Sequence, residues 1–450
     1  MTETISTKKK TEVLNPKTEH FEFSGVSGAL AISIGLPILI IILNQMIRPN
    51  YYITGFFENF SFEEVFQKGD LKSIQDYLFN MKETWVYYIL WFFCLAILDV
   101  SLPGKTINGV ELRDGSYLKY KINGIALSSY LIILLAYRFK TTNGQMPELQ
   151  YLYKHNLDIC VVSILFSFFL AVIVYAMSFI PLFGKKNGAG NKERILALGG
   201  NSGNVIYDWF IGRELNPRLG PLDIKLFCEL RPGMLLWLLI NIAALHKVWL
   251  ETGKINNALL LINLLQGFYI FDGVLNEEGC LTMMDITTDG FGFMLAFGDL
   301  SLVPFTYSLQ ARYLSCNIIE LTNWQLVLIT AVMFGGYFIF HSSNQQKSDF
   351  RQGKLPHLKS IQTKRTTKLL CDGWWAKSQH MNYMGDWLIS LSWCLTTWSS
   401  TALTYYYSLY FFTLLLHRQQ RDEHKCREKY GEAWEEYEKA VPYKIIPYIY

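Results

Sequence analysis

Two basic side chains that follow an apolar segment have the spacing of a phosphate site. They occur in HSSNQQKSDFRQGK, residues 341–354. If the preceding helix continues, Asn344, Lys347 and Arg351 lie on one face, because spacings of three and four residues match the helical repeat. Two cations held one turn apart suit a phosphate group. Long basic side chains also mark the ordinary end of a membrane helix, so this pair needs support from other segments.

A loop rich in aromatic and amide side chains could bind a flat ring. The stretch LLCDGWWAKSQHMNYMGDWL, residues 369–388, contains the candidates Trp374, Trp375, His380, Asn382, Tyr383 and Asp386. Aromatic faces together with amide hydrogen-bonding groups suit a heteroaromatic ligand. Tryptophan and tyrosine also gather at membrane surfaces, but such a belt does not require Asn382 and Asp386. The composition therefore favours a ligand-binding loop.

A dense block of charges follows the last apolar segment, in LLHRQQRDEHKCREKYG, residues 415–431. On a helix, Arg418 and Asp422 lie four residues apart, and Asp422, Cys426 and Tyr430 continue one stripe. A solvated charged helix would show the same pattern. Arg418, however, lies at the membrane edge, where an unpaired charge is costly. We therefore expect Arg418 to pair with Asp422 or with a bound anion.

A cluster of acids in and between two apolar segments could supply a proton. Residues 267–310 contain no Lys or Arg and carry six acids: Asp272, Glu277, Glu278, Asp285, Asp289 and Asp299. Ionisable residues at membrane depth are candidates for function. A carboxyl group that is buried without a cation stays protonated and can act as a proton donor. Asp285 and Asp289 fit a loop outside the bilayer equally well.

The composition indicates a membrane protein and argues against several other classes. Of 450 residues, 51% are hydrophobic and 18% are charged, against about 25% charged residues in soluble domains. A net charge of +3 gives no reason to expect nucleic-acid binding. The cysteines lack CxxC spacing and the histidines lack metal-ligand spacing, so we expect no metal site. The Gly-rich stretch 199–225 lacks the GxGxxG motif of dinucleotide-binding folds.

The hydropathy pattern predicts an all-α polytopic membrane protein with about ten transmembrane helices. The apolar segments are 27–47, 84–100, 123–137, 158–183, 232–246, 255–276, 290–311, 325–340, 386–397 and 400–416. Segment 290–311 contains Asp299 and Pro304, so its boundaries are uncertain. The last two segments are too close for more than a tight hairpin, so one of them could be a half-helix.

The distribution of basic residues predicts that both termini are cytosolic. The loops on the side of the termini carry 31 of the 41 Lys and Arg residues, as the positive-inside rule requires of the cytosolic side. We therefore expect a cytosolic tail over residues 1–25 and an N-terminal membrane half over 26–231. That half holds about four spans and a long cytosolic loop. A catalytic membrane half with a cofactor site follows over 232–450.

Two motifs resemble signatures of the sterol reductase family, in particular of its fungal delta(14)-sterol reductases. They are GNVIYDWFIGRELNPR, residues 203–218, and LLHRQQRDEHKCREKYG, residues 415–431. The resemblance extends to LNEEGCLTMMDITTDGFGFMLAFGDLSLVPFTYSLQARYL in the middle of the chain and to VPYKIIPYIY at the end. It covers nearly the whole chain from residue 14 onward.

This resemblance implies a multi-pass enzyme of the endoplasmic-reticulum membrane that acts in ergosterol biosynthesis. It implies NADPH-dependent reduction of the 14,15 double bond of a sterol 8,14-diene, with an NADPH pocket in the C-terminal half at the cytosolic face. By motif match, the cofactor contacts would be Lys347, Arg351, Leu370, Trp375, Asn382, Tyr383, Arg418, Asp422, Cys426, Arg427, Glu428, Lys429, Tyr430 and Tyr437.

The implied reaction places a proton before a hydride, because an isolated alkene is a poor hydride acceptor. Protonation at carbon 15 leaves a cation at carbon 14. We expect Tyr269 to be the proton donor or its relay, with Glu277 or Asp272 behind it. Aromatic faces such as Tyr307, Phe291 and Phe293 could stabilise the cation. The expected partners are the sterol entering from the bilayer, membrane lipid and other sterol-synthesis enzymes.

Several alternatives remain open from the sequence. Reduction at delta-7 or delta-24(28) depends on the shape of the cavity, which the sequence does not give. A membrane methyltransferase of the isoprenylcysteine type has a similar Asn-Tyr loop but binds S-adenosylmethionine, whereas Lys347 and Arg351 favour a dinucleotide. A structural receptor with an idle reductase core and a transporter are further alternatives.

Overall fold

The computed structural model describes residues 13–47, 81–181, 193–364 and 367–450, and over them the chain is mostly helical. Two compact units are present. The first draws its described residues from Met1–Met46, Ser61–Leu250 and Gly267–Ser308, and the second from Ile47–Phe60, Glu251–Gln266 and Leu309–Tyr450. Residues 1–12 of the expected tail and 182–192 of the expected long loop lie outside the described residues.

Long helices dominate the first part of the chain. They and the shorter helices between them are α1 (Gly25–Gln45), α2 (Lys82–Ser101), α3 (Gly124–Thr141), α4 (Pro147–Lys154), α5 (Asn156–Met177), α6 (Val205–Ile211), α7 (Ile224–Leu230), α8 (Pro232–Thr252) and α9 (Asn257–Leu275). Side-chain caps fix two of the short helices. Asn204 accepts hydrogen bonds from the N–H groups of Ile206 and Tyr207, and Asp223 accepts one from Leu226.

Short helical pieces replace the continuous span expected over residues 290–311. They are α10 (Glu277–Cys280), α11 (Met284–Thr287), α12 (Phe293–Phe297), a π-helical turn (Gly298–Leu302), α13 (Val303–Tyr307) and α14 (Leu309–Cys316). Pro304 lacks an N–H group, and the π-helical turn lies just before it. Gly233 packs against this turn so closely that a Cβ atom would lie 1.7 Å from the carbonyl oxygen of Asp299.

The C-terminal part of the chain holds the remaining helices. They are α15 (Asn323–Arg351), a 3-10 turn (Gly373–Ala376), α16 (Met381–Leu395), a second 3-10 turn (Leu403–Tyr405), α17 (Tyr406–Tyr430) and α18 (Glu432–Ala440). A cluster of buried side chains from α18 and the strands before α16 includes Ile361, Trp434, Tyr437 and Val441.

Antiparallel strand pairs make the protein mostly helical rather than all-helical, which corrects the all-α expectation. Within the described ranges they are β1 (Lys105–Glu111) with β2 (Tyr117–Ile122), β3 (Arg218–Leu219) with β4 (Leu222–Asp223), and β5 (Ser360–Gln362) with β6 (Lys368–Leu370). Each pair is a short hairpin within a polar loop. Such loops carry no long apolar run, so hydropathy alone did not predict them.

Six helices among the described residues are long and apolar enough to cross a membrane, which indicates a multi-pass membrane protein. They are Gly25–Gln45, Lys82–Ser101, Asn156–Met177, Ile224–Thr252, Asn257–Leu275 and Asn323–Arg351. Large apolar side chains on them face outward, as lipid contact requires: Ile97 is 65% exposed and Val327 is 68% exposed. The other expected segments coincide with helices that are shorter, broken or more polar, so the count of ten stays a prediction.

Candidate functional site

The scaffold of the candidate site is the pair of helices α15 and α16, whose backbones touch in the second unit. A Cβ atom on Gly336 would lie 2.7 Å from the carbonyl oxygen of Gly385, and one on Gly385 would lie 2.6 Å from the backbone nitrogen of Phe340. Glycine at both positions allows this close approach. The contact fixes the polar end of α15 beside the first turn of α16.

Lys347 and Trp375 form the centre of the site. The Lys347 Nζ lies 3.8 Å from the centroid of the Trp375 ring, within the range of a cation–π contact. Trp375 is buried, and its indole N–H donates to the carbonyl oxygen of Ser343 at 2.9 Å. The ring is therefore held in a fixed orientation by the same helix that carries the lysine. Arg351, one turn further along α15, is exposed.

Asn382 presents a hydrogen-bond acceptor that has no partner among the described residues. Its Nδ2 donates to Oδ1 of Asn344 at 3.2 Å, while its own Oδ1 is buried and unpaired. A buried polar atom without a partner costs free energy unless a ligand or water completes it. A ligand that carries a hydrogen-bond donor, such as the amide or amino group of a ring, could therefore bind between α15 and α16.

His380 lies directly before this helix and is buried. Its ring stacks on Tyr383 with centroids 4.7 Å apart, and its Nε2 lies 3.8 Å from Oδ2 of Asp422. Burial, together with the charges of Lys347 and Lys444, lowers the pKa of His380 to about 3. The imidazole is therefore neutral at physiological pH and acts as an aromatic wall rather than as a cation.

The stripe expected on α17 faces the same site. Asp422 and Lys347 both act on Cys426 electrostatically, and Cys426 packs in the cluster around Tyr437. Burial first, and the Asp422 charge second, raise the pKa of Cys426 to about 12, so the thiol keeps its proton. Burial also raises the pKa of Tyr437. The structure therefore brings Lys347, Trp375, Asp422, Cys426 and Tyr437 together from four separate segments.

The other residues predicted to contact the cofactor lie at the edge of this group of side chains or farther from it. Leu370 is buried at the end of β6, and Arg418 is half-buried on α17. Exposed side chains with partners of their own make up the rest: Arg427 binds Glu423 and Glu438, Glu428 lies beside His424, and Lys429 lies over the ring of Tyr430. A role for the exposed residues in binding stays a prediction.

Glu423 should make the fold sensitive to acid. Burial would raise its pKa, but hydrogen bonds from Lys444, Gln419 and Arg427 outweigh it and lower the pKa from 4.5 to about 2. Because the folded-state value is the lower one, this stabilisation is complete above about pH 4.5 and is lost as the pH falls toward 2. Thermal unfolding should show wild type losing more stability than Glu423→Gln between pH 5 and about pH 3.

The control for this acid effect is an exposed ion pair in the same unit. Glu432 and Lys364 lie 2.9 Å apart with side chains more than 80% exposed, where an ion pair contributes little. Glu432→Gln should therefore follow the wild-type curve. An acid response of Glu423→Gln identical to that of wild type would contradict the prediction.

The first unit holds the predicted catalytic acids, and Glu277 has a cation. Its side chain is 1% exposed, forms an ion pair with Arg231 and accepts the N–H of Gly124 at 2.8 Å. Arg231 also donates from Nε to Asp99 at 3.0 Å. The expectation of carboxyl groups buried without a cation is therefore wrong for Glu277. Arg231 lies 46 residues before Glu277 in the chain, outside the stretch 267–310 that contains no Lys or Arg.

Tyr269, the predicted proton donor, lies near an aromatic ring. The ring of Trp237 lies 6.4 Å from that of Tyr269 and 5.1 Å from that of Tyr307. Phe293, which is fully buried, stacks on Trp209 at 4.9 Å. Asp272 is half-buried on the same helix as Tyr269 and accepts a hydrogen bond from Asn276. The ring of Trp237 thus lies beside the predicted donor.

A cavity of about 700 Å³ in the first unit has Glu277 on its wall. Its other lining residues include Ile122, Asn123, Val274 and Asn276. The Glu277 carboxylate on this wall is bound to Arg231 and accepts the N–H of Gly124.

Comparison with known proteins identifies the family of this chain. The model of the ergosterol biosynthesis ERG4/ERG24 family matches residues 17–450. The delta(14)-sterol reductase ERG24 of Saccharomyces cerevisiae is 71% identical over 97% of this chain and 99% of its own length. Its counterpart in Candida albicans is 59% identical over 98% of this chain and 100% of its own. The delta(14)-sterol reductase LBR of Gallus gallus is 39% identical over 97% of this chain and 66% of its own. The chain belongs to the ergosterol biosynthesis ERG4/ERG24 family.

Proposed function

We propose that this protein is an NADPH-dependent delta(14)-sterol reductase that reduces the 14,15 double bond of sterol 8,14-dienes in ergosterol biosynthesis. The observation that carries the proposal is the 71% identity, over nearly the full length of both chains, to a protein named for this activity. The site in the second unit supports it, because a cation, an aromatic wall and an unpaired amide oxygen suit a dinucleotide.

The cofactor would be held by groups whose chemistry matches its parts. Lys347 and Arg351 would bind phosphate, and a contact with the 2′-phosphate would favour NADPH over NADH. Trp375 and Tyr383 would flank a ring, and the unpaired Oδ1 of Asn382 would accept a hydrogen bond from it. Asp422 would accept from ribose hydroxyl groups. NADPH, when bound, supplies the hydride that is added at carbon 14.

The chain's own residues would supply the proton and shelter the charge. Tyr269 would donate a proton to carbon 15, directly or through a relay that includes Asp272 or Glu277. The new C–H bond uses the electron pair of the double bond and leaves the positive charge at carbon 14. Faces of neighbouring aromatic rings such as Tyr307 would stabilise that cation.

The proposal also covers the location and orientation of the chain in the membrane. We infer an endoplasmic-reticulum location, cytosolic termini, ten spans and a cofactor site that opens to the cytosol. The N-terminal half over 26–231 and the catalytic half over 232–450 are part of the same inference. The excess of basic residues on the side of the termini supports this orientation. The sterol would then enter from lipid, where it dissolves, and NADPH from water.

The deciding experiment uses purified protein, NADPH and an 8,14-diene sterol, with products analysed by mass spectrometry. We expect a product with two more hydrogen atoms. In deuterium oxide one deuterium should appear at carbon 15, and hydride-labelled NADPH should place one at carbon 14. Parallel arms offer sterols with delta-7 or delta-24(28) double bonds, and S-adenosylmethionine as cofactor. Reduction at another position, or binding of S-adenosylmethionine in place of NADPH, would contradict the proposal.

A further inference from the structure

Lys444 makes contacts with three elements of the second unit at once. Its Nζ lies 2.8 Å from Oε1 of Glu438 on α18 and 3.1 Å from Oε2 of Glu423 on α17. Its carbonyl oxygen accepts the N–H of His380 at 2.8 Å. Three separate parts of the chain thus meet at one residue.

The neighbours of Lys444 extend this contact along residues 378–380. The carbonyl oxygen of Tyr443 accepts the N–H of Gln379 at 2.9 Å, and that of Ile445 accepts the hydroxyl of Ser378 at 3.0 Å. The side-chain amide of Gln379 donates to Val441 at 2.8 Å. Since Val441 and Ile445 are fully buried, residues 441–445 are anchored in the fold and pack along the loop that precedes α16.

Each contact of Lys444 lies next to a residue of the candidate cofactor site. His380 lies two residues before Asn382, Glu423 follows Asp422, and Glu438 follows Tyr437. A change in the position of Lys444 would therefore move the unpaired amide oxygen, the carboxylate and the buried phenol relative to one another. Lys444 itself was not among the residues that sequence motifs suggested.

We propose that Lys444 is a positioning residue for the cofactor site: it holds α17, α18 and the start of α16 in register. This inference rests on the proposed function, in which Asn382, Asp422 and Tyr437 bind NADPH. Because the Lys444 ammonium is engaged by Glu423 and Glu438, it acts through the geometry of other residues and not by contact with the reacting atoms.

The charges around Lys444 explain why its loss would disturb geometry. The side chains of Lys444, Glu423 and Glu438 are 18–21% exposed, so their interactions are only partly screened by water. Arg427 donates to both carboxylates at 2.9 Å but is 56% exposed. Without Lys444 the two close carboxylates would share the exposed Arg427 as a cation, and their repulsion would separate α17 from α18.

The test compares Lys444→Ala, Lys444→Arg and the control Lys364→Ala in the purified full-length protein. NADPH binding is measured by the fluorescence of the reduced nicotinamide, and turnover with an 8,14-diene sterol. For Lys444→Ala we expect Kd and KM for NADPH to rise about tenfold while kcat changes by less than about twofold. Lys444→Arg keeps the cation and should restore binding. Lys364→Ala removes an exposed ion pair of the same unit and should match wild type.

The outcomes separate this inference from the proposed function. If wild type binds NADPH and Lys444→Ala binds it equally well, the inference is overturned and the function stands. A lower kcat at unchanged KM, or an equal loss in Lys364→Ala, also overturns it. Failure of wild type to bind NADPH overturns both. If Lys444→Ala does not fold, Lys444→Met replaces it, and the same rise in KM is expected because the cation between the two carboxylates is lost while the length of the side chain is kept.

Discussion

Replacing Lys347 with alanine should raise the KM for NADPH by roughly ten- to a hundredfold, because a hydrogen bond to a charged group contributes about 1.5–3 kcal/mol. The ammonium is held over the ring of Trp375, so its position is fixed before any ligand arrives. The change removes the cation and leaves the ring in place through its bond to Ser343. Steady-state kinetics at saturating sterol give the measurement.

Lys377 provides a matched control for Lys347. Lys377 also lies over a tryptophan, 4.8 Å from the centroid of Trp374, but it is exposed. Lys377→Ala should leave the KM for NADPH unchanged. If Lys347 meets the 2′-phosphate, Lys347→Ala should weaken binding of NADPH far more than binding of NADH. An unchanged KM in a folded Lys347→Ala protein would remove this residue from the site.

Replacing Arg231 with leucine should destabilise the protein by about 3–5 kcal/mol, because it leaves the buried Glu277 carboxylate without its cation. Thermal unfolding in detergent measures the loss. The double variant Arg231→Leu and Glu277→Leu should recover much of it, since no unpaired Glu277 charge remains. Recovery would be incomplete because Asp99 also loses a partner. Equal stability of wild type and Arg231→Leu would contradict the ion pair.

The same double variant tests whether Glu277 takes part in proton transfer. If Glu277 only binds Arg231 and Gly124, a stable double variant should reduce sterol at a rate close to that of wild type. If Glu277 relays a proton to Tyr269, kcat should fall while NADPH binding is retained. Solvent isotope effects on the two proteins would show whether the proton step has slowed.

The hydropathy pattern predicted a helix well wherever one continuous apolar segment forms one helix. The segments 27–47, 84–100 and 325–340 all coincide with helices whose ends differ by a few residues or, for α15, extend beyond the apolar run to Arg351. The run 290–311 failed because Pro304 and the close contact of Gly233 with Asp299 break it. Hydropathy averages over such interruptions, so it does not detect them.

The candidate site was predictable in its residue types but not in its partners. Helical spacing and motif likeness identified Lys347, Asp422 and Cys426, which the structure brings together. The pairing of Arg231 with Glu277 and the contacts of Lys444 join residues far apart in the chain. No single stretch of sequence carries a signal for such pairs, because they arise from packing of separate elements. His380 stood in the recognised loop, yet nothing in its spacing distinguished it from Asn382.

The low pKa of His380 has a consequence for the conditions under which this protein works. An imidazole that stays neutral down to about pH 3 adds no positive charge when the surroundings acidify. The attraction that draws an anionic ligand to α15 then comes from Lys347 and Arg351. Burial, together with the charge of Arg351, lowers the pKa of Lys347 to about 8, so acidification below that value completes its protonation. Mild acidification would therefore leave the charge of His380 unchanged and would only strengthen the positive charge of Lys347 beside it.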